Sequence, residues 1–261
     1  MPFVAGDDVR LYYETHGPAP GTAPAIVFAH GMGGNHLSWW QQVAYFRERF
    51  TCVTFDHRGF GQSVETAGGR GGAAFVDDLR HLLDHLGLAR VHVVAQSMGG
   101  WTGLGFAVRY PGCVERLVLC DTHGGLSTEA ISAAWGAGRA GVAALPAGVH
   151  PAAGERMFRE QPGLHFLYTQ INDLNPSRSL AEMGAIIVAA GTLGGETVAG
   201  LDIPVLFIAG DEDIVIPPPV LELAASHFRH AQFVRVPTAG HSVYFERAAA
   251  FNELVDRFLT D

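Results

Sequence analysis

Apolar residues along this chain recur with two alternating periods. Short runs rich in β-branched residues are strand-like: Ala25 to Ala29, Thr51 to Phe55, Val91 to Ala95, Val114 to Cys120, Val205 to Ala209 and Phe233 to Val236. Between them lie stretches with helical spacing, from Leu37 to Arg49, Phe75 to Leu86, Met98 to Arg109, Val220 to His227 and Ala248 to Leu259. A hairpin is expected around Val9 to Thr15. Strand and helix in alternation predict an α/β fold: a mostly parallel, twisted sheet with helices on both faces. From about Gly124 to Leu201 the pattern changes to Ala- and Gly-rich helical pieces with no clear strand. That stretch reads as a helical cap inserted after the sixth strand, with residues 1–123 and 202–261 forming the core and 124–201 the cap. The Gly-rich run Ala67 to Ala73 reads as a flexible surface loop.

Composition narrows the functional classes. With 261 residues and 48% apolar content, the chain can bury a substantial core. A formal net charge of −9 argues against nucleic acid or an anionic membrane as partner. All 17 basic residues are arginine, so Schiff-base and lysine general-base mechanisms are ruled out. The N-terminus lacks a basic region followed by an apolar stretch, and no segment is apolar for long enough to span a bilayer, which predicts a cytoplasmic protein. Cys52, Cys113 and Cys120 read as small buried hydrophobes rather than a disulfide set or metal ligands. Neither CxxC nor HExxH occurs, and no metal site is expected.

Chemistry concentrates where the apolar run Val91 to Ala95 stops. It continues Gln96-Ser97-Met98-Gly99-Gly100 and passes straight into a helix-like segment. A serine on a tight strand-to-helix turn has its hydroxyl pushed out above the sheet, with the next backbone N–H and the helix N-terminus aimed at any oxyanion formed there. Small residues at positions 95, 99 and 100 let strand and helix approach closely. The usual pattern begins with glycine; here Ala95 adds one methyl. Taken alone, a serine at such a turn is as readily a helix N-cap.

The surrounding motifs change that balance. His30-Gly31-Met32-Gly33-Gly34 follows an early strand and Asp56-His57-Arg58-Gly59-Phe60-Gly61 the next. Gly210-Asp211-Glu212-Asp213 follows a late strand, and Gly240-His241 lies near the C-terminus. In this order, over essentially its whole length, the chain resembles the α/β-hydrolase superfamily, in its serine-nucleophile branch of carboxylesterases and enol-lactone hydrolases. The resemblance implies the α/β-hydrolase fold and a catalytic triad in the order Ser97, Asp213, His241, with an oxyanion hole formed by the backbone N–H groups of Met32 and Met98. Asp121, at the end of an earlier strand, is a second candidate for the acid. His30, Asp56 and Arg58 read as bracing residues.

An aspartate at the elbow would mark dehalogenases and epoxide hydrolases of this fold, and this chain has serine. The expected activity is hydrolysis of a small, mostly apolar ester or lactone through an acyl-enzyme, without a cofactor. Alternatives are hydrolysis of carbon–carbon bonds in ring-cleavage diketones and a slow-turnover ligand receptor of the same fold. Trp101 on the elbow helix, His123 just past the strand that ends at Asp121, and Phe158 and Phe166 in the cap are candidates for contacting substrate; Trp135, Met157, Leu167 and Tyr168 could also line the pocket. No basic cluster in the cap points to a polyanion. A homodimer is compatible with the sequence.

Overall fold

The computed structural model describes residues 2–138 and 145–261; residues 139–144, inside the expected cap, lie outside the described set. Nine strands form one sheet: β1 (Phe3–Ala5), β2 (Val9–His16), β3 (Ala25–Ala29), β4 (Thr51–Phe55), β5 (Val64–Glu65), β6 (Val91–Gln96), β7 (Val114–Cys120), β8 (Val205–Gly210) and β9 (Ala231–Val236). They run in the order β1-β2-β4-β3-β6-β7-β8-β9, with β5 paired to β2. β2 is antiparallel to β1, β4 and β5, and every pairing from β4 through β9 is parallel. The hairpin therefore joins β1 to β2 through Gly6, Asp7 and Asp8, rather than folding within Val9 to Thr15. Strands as short as β1 and β5 carry too few residues for periodicity to reveal, and their pairing to β2 defines them. Because β5 adds a strand, the helical segment follows the seventh strand.

Helices α1 (Trp40–Phe46), α2 (Phe75–Leu86), α3 (Gly99–Arg109), α9 (Pro218–Ala225), α10 (Val243–Glu246) and α11 (Ala248–Thr260) belong to the core. In β3 every residue is buried. Its side chains alternate: Val27 and Ala29 join the cluster containing Leu79, Leu104 and Leu221, whereas Ile26 and Phe28 join the one containing Phe46, Tyr244 and Phe251. This two-sided burial makes the strand a continuous apolar run rather than an alternating one.

Between β7 and β8 lie α4 (Glu129–Gly138), α5 (Gly154–Glu160), α6 (Pro162–Asp173), α7 (Leu180–Ala190) and α8 (Gly195–Ala199). The expected loop at Ala67 to Ala73 is more ordered than its composition suggests. Gly71–Ala74 forms a 3₁₀ turn whose Gly72 and Ala74 are buried. Gly72 lies under α7 so closely that a Cβ there would collide with the Ile186 carbonyl, so its glycine serves close packing rather than mobility.

Topology opens the site. β3 lies between β4 and β6, so the chain leaves β3 toward one edge of the sheet and β6 starts the march toward the other. Loops after these two neighbours diverge at their C-terminal ends, leaving the crevice where ligands of open α/β sheets bind. Arg58 anchors the far side. Its fully buried guanidinium makes two 2.7 Å bonds to Asp78 and further bonds to Glu65 and Asp8. Asp56 accepts from the His36 and Gln62 backbone N–H groups. Both side chains brace the loop after β4.

Candidate active site

Ser97 sits directly after β6 with φ of 48°, a left-handed conformation that costs a non-glycine residue about 1–3 kcal/mol. Its backbone is pinned on both sides: its N–H donates to the Cys120 carbonyl (3.1 Å) and its carbonyl accepts from Gly100 (2.9 Å). A Cβ at Gly99 would strike the Ala29 carbonyl, and one at Gly100 would strike Thr122, so both glycines are required by close approach. The extra methyl of Ala95 is accommodated by Gly103 on α3, where an added Cβ would come within 3.0 Å of it. Strand and helix thus keep their spacing although the first small residue is alanine.

The side chains that converge come from three strand ends. His241, on the loop after β9, accepts from the Ser97 hydroxyl through Nε2 (2.9 Å) and donates through Nδ1 to Asp213 Oδ2 (2.8 Å). The other Asp213 oxygen accepts from the Val215 and Ile216 N–H groups at 2.8 and 2.9 Å, which fixes the carboxylate's orientation. Burial by itself would push the His241 imidazole down; the charge and hydrogen bond of Asp213, with Asp121 and Glu246 farther off, outweigh it and raise its pKa above 6.5.

Asp121 is equally buried but differently employed. Its two oxygens accept from the backbone N–H groups of Gly210 (3.0 Å) and Val243 (3.1 Å), tying the end of β7 to β8 and to the segment that carries His241. Burial, then the neighbouring charge of Asp213, pushes its carboxyl up to about 7, while His241 draws it down. The geometry gives the histidine contact to Asp213 and a bracing role to Asp121.

Two further side chains hold the histidine loop. Gln96 Nε2 donates to the His241 carbonyl (2.8 Å), and Glu246 Oε1 accepts from Gly240 N–H (2.9 Å). Neither was singled out from sequence. Gln96 immediately precedes the serine and belongs to a fully buried strand, the one signal that its amide must find an internal partner.

The backbone N–H groups of Met32 and Met98 have no acceptor among the described residues. The Met32 N–H shares a planar peptide with the Gly31 carbonyl and points the opposite way. That carbonyl accepts from His30 Nδ1–H (2.8 Å) and Gly34 N–H (3.0 Å), so holding it aims the Met32 N–H. His30 Nε2 in turn accepts from His57 N–H at 2.9 Å. Burial drives its pKa down to about 4, and the neutral ring serves as a fixed hydrogen-bond bracket.

These groups open on a cleft of about 310 Å³. The core contributes Met32, Gly33, Gln96, Ser97, Val215 and His241; the helical segment contributes His150, Pro151, Ala152, Tyr168, Asn172, Leu180 and Met183. Tyr168 lines it, as its helix position allows. The other pocket candidates lie elsewhere. Trp101 and His123 face a separate cavity of about 300 Å³, where the Trp101 indole donates to the Gly191 carbonyl. Phe158 is 40% exposed and packs edge-on against His165, and Phe166 is 64% exposed. No group of three or more His, Cys, Asp or Glu side chains suited to a metal occurs among the described residues, nor does any helix there have the length and apolarity to cross a membrane.

Comparison with known proteins agrees with this architecture. Residues 24–148 match the family model for the alpha/beta hydrolase fold, and residues 190–261 match that of TAP-like proteins. The chain is 28% identical to a putative carbamate hydrolase, RutD, of Agrobacterium fabrum, over 95% of its own length and 98% of the relative's. Among solved structures it is similar to the enol-lactonase of Burkholderia xenovorans LB400 (TM-score 0.78, 28% identity, all of both chains). It is also similar to a thermophilic esterase of Thermogutta terrifontis (TM-score 0.77, 25% identity, 99% of this chain and 96% of that one).

Proposed function

The chain belongs to the α/β-hydrolase superfamily, and on that premise we propose that it is a serine hydrolase that cleaves small, mostly apolar carboxylic esters or lactones through an acyl-enzyme. The observation that carries the reading is the unbroken line of hydrogen bonds from Asp213 through His241 to the Ser97 hydroxyl, at the floor of a cleft with mainly apolar walls. The enol-lactonase and esterase relatives support the bond type.

In this mechanism His241 Nε2 takes the Ser97 proton as Oγ attacks the ester carbonyl. The oxyanion is held by the Met32 and Met98 N–H groups, each contributing about 3 kcal/mol to the transition state. The tetrahedral intermediate collapses, the alcohol departs with the proton from His241, and an acyl-Ser97 ester remains. Water then attacks that ester with His241 again as base, and the acid is released. Asp213 holds the histidine tautomer and stabilises the imidazolium.

The pH profile checks these roles. His241 must be neutral to accept the proton, and its pKa is raised, so kcat/KM for a p-nitrophenyl ester is expected to fall on the acid side with a midpoint above pH 6.5. Removing the raising charge in Asp213→Asn is expected to move the acid limb of the residual activity downward. A wild-type profile with no acid limb would count against His241 as the base.

A further inference from the structure

The cleft beside Ser97 continues outward into a second compartment of about 340 Å³; Gly33, His150, Asn172 and Met183 belong to both. His150 stands at the junction, and its ring is pinned. The Ala152 N–H donates to its Nδ1 (3.2 Å), the ring packs edge-on against Tyr168, and its own backbone N–H leans on His165. An accepting Nδ1 places the proton of the neutral ring on Nε2. Nε2–H has no partner among the described residues, and it is not one of the atoms sealed inside the protein. Burial pushes the imidazole pKa down, which keeps this group a neutral donor.

Each neighbouring side-chain amide already donates to a protein carbonyl, whereas the His150 Nε2–H holds none. Gln96 donates to the His241 carbonyl, Asn172 to the Tyr168 carbonyl, and Asn175 to the carbonyls of Gly33 and Asn172. In the outer compartment Asp173 and Arg178 carry opposite charges, and the Arg178 guanidinium is also held over Phe60 and bonded to the Gly59 carbonyl. A neutral oxygen acceptor suits this environment better than an anion.

Resting on the serine-hydrolase reading above, we infer that His150 determines specificity: its Nε2–H binds a second, neutral oxygen acceptor of the substrate, a ketone or ether oxygen placed beyond the scissile ester, so that oxygenated esters are preferred over plain alkyl esters of the same length.

Two matched pairs test this: p-nitrophenyl levulinate against p-nitrophenyl valerate for the acyl side, and methoxyethyl acetate against butyl acetate for the alcohol side. Each kcat/KM is divided by the ester's spontaneous hydroxide rate. The cleft admits water, which replaces a missing acceptor, so one neutral hydrogen bond implies a preference of roughly five- to tenfold in at least one pair, carried mainly by KM. In His150→Phe that ratio is expected to fall to near one, and His150→Gln, which keeps an N–H donor, is expected to retain part of it. A merely structural role would lower both members of a pair alike and leave the ratio intact. No preference in the wild type, or an undiminished preference in His150→Phe, overturns the inference while the serine-hydrolase reading stands. Wild-type inertness toward all four esters overturns that reading, and the inference with it.

Discussion

Replacing Ser97 by alanine is expected to lower kcat for p-nitrophenyl esters by about 10⁶-fold, the loss seen when a nucleophile is removed from a comparable triad. Residual turnover should still exceed the buffer rate, because the free N–H groups of Met32 and Met98 remain to bind the oxyanion. The fold should survive, since the elbow is held by the Ser97 backbone and by glycines 99 and 100, not by the hydroxyl. A companion variant separates activity from stability. Ser97→Gly removes the same oxygen and relieves the left-handed strain at φ of 48°, so it should be equally inactive and more stable than Ser97→Ala in urea unfolding, by about 1 kcal/mol. Retained activity in either variant would remove Ser97 from the mechanism.

The second large effect distinguishes two buried carboxylates. Asp213→Asn is expected to cost about 10⁴-fold in kcat, because an amide facing His241 Nδ1 can stabilise the wrong tautomer and cannot balance the imidazolium charge. Asp121→Asn leaves the histidine contact in place. Its amide can accept only one of the two backbone N–H bonds now held by Gly210 and Val243, and its NH₂ group then faces a donor. A loss of about 1–3 kcal/mol of stability follows, with less than about tenfold in kcat. Parallel kinetics and urea denaturation of the two variants decide the assignment. The opposite pattern, with Asp121→Asn the more damaging to kcat, would make Asp121 the acid.

How much of this could be read from sequence depends on the range of the interactions involved. Each motif loop is a short chemical pattern at a strand end: Ser97 with its glycines, Gly31 and Met32, Asp213, and His241. Each sits where the parallel sheet requires a turn, so pattern and position reinforce each other. The cleft walls come from the helical segment, where apolarity alone misleads. On α6 the buried residues are His165, Tyr168 and Ile171, spaced by three, whereas Phe166 is exposed. Helical spacing would have favoured Tyr168 over Phe166, because a residue's face depends on its position in the turn and not on its ring. Trp101 lies one turn past Ser97 on α3 and His123 just past β7, the strand beside β6, yet both face the other cavity. His150 has no periodic neighbour to identify it; its importance lies in one hydrogen bond to its own loop, which fixes the tautomer. The strands β1 and β5 were likewise hidden, because only their pairing to β2 defines them.

The central claim, that Ser97 is the nucleophile of an acyl-enzyme, is tested most directly by covalent labelling. Wild-type protein treated with diethyl p-nitrophenyl phosphate is predicted to gain one diethylphosphoryl group per chain by intact mass. Peptide mapping should place it on Ser97, esterase activity should be lost in step with labelling, and Ser97→Ala should remain unlabelled. An ester-hydrolysing wild type that stays unlabelled, or carries the group on another residue, would contradict the account.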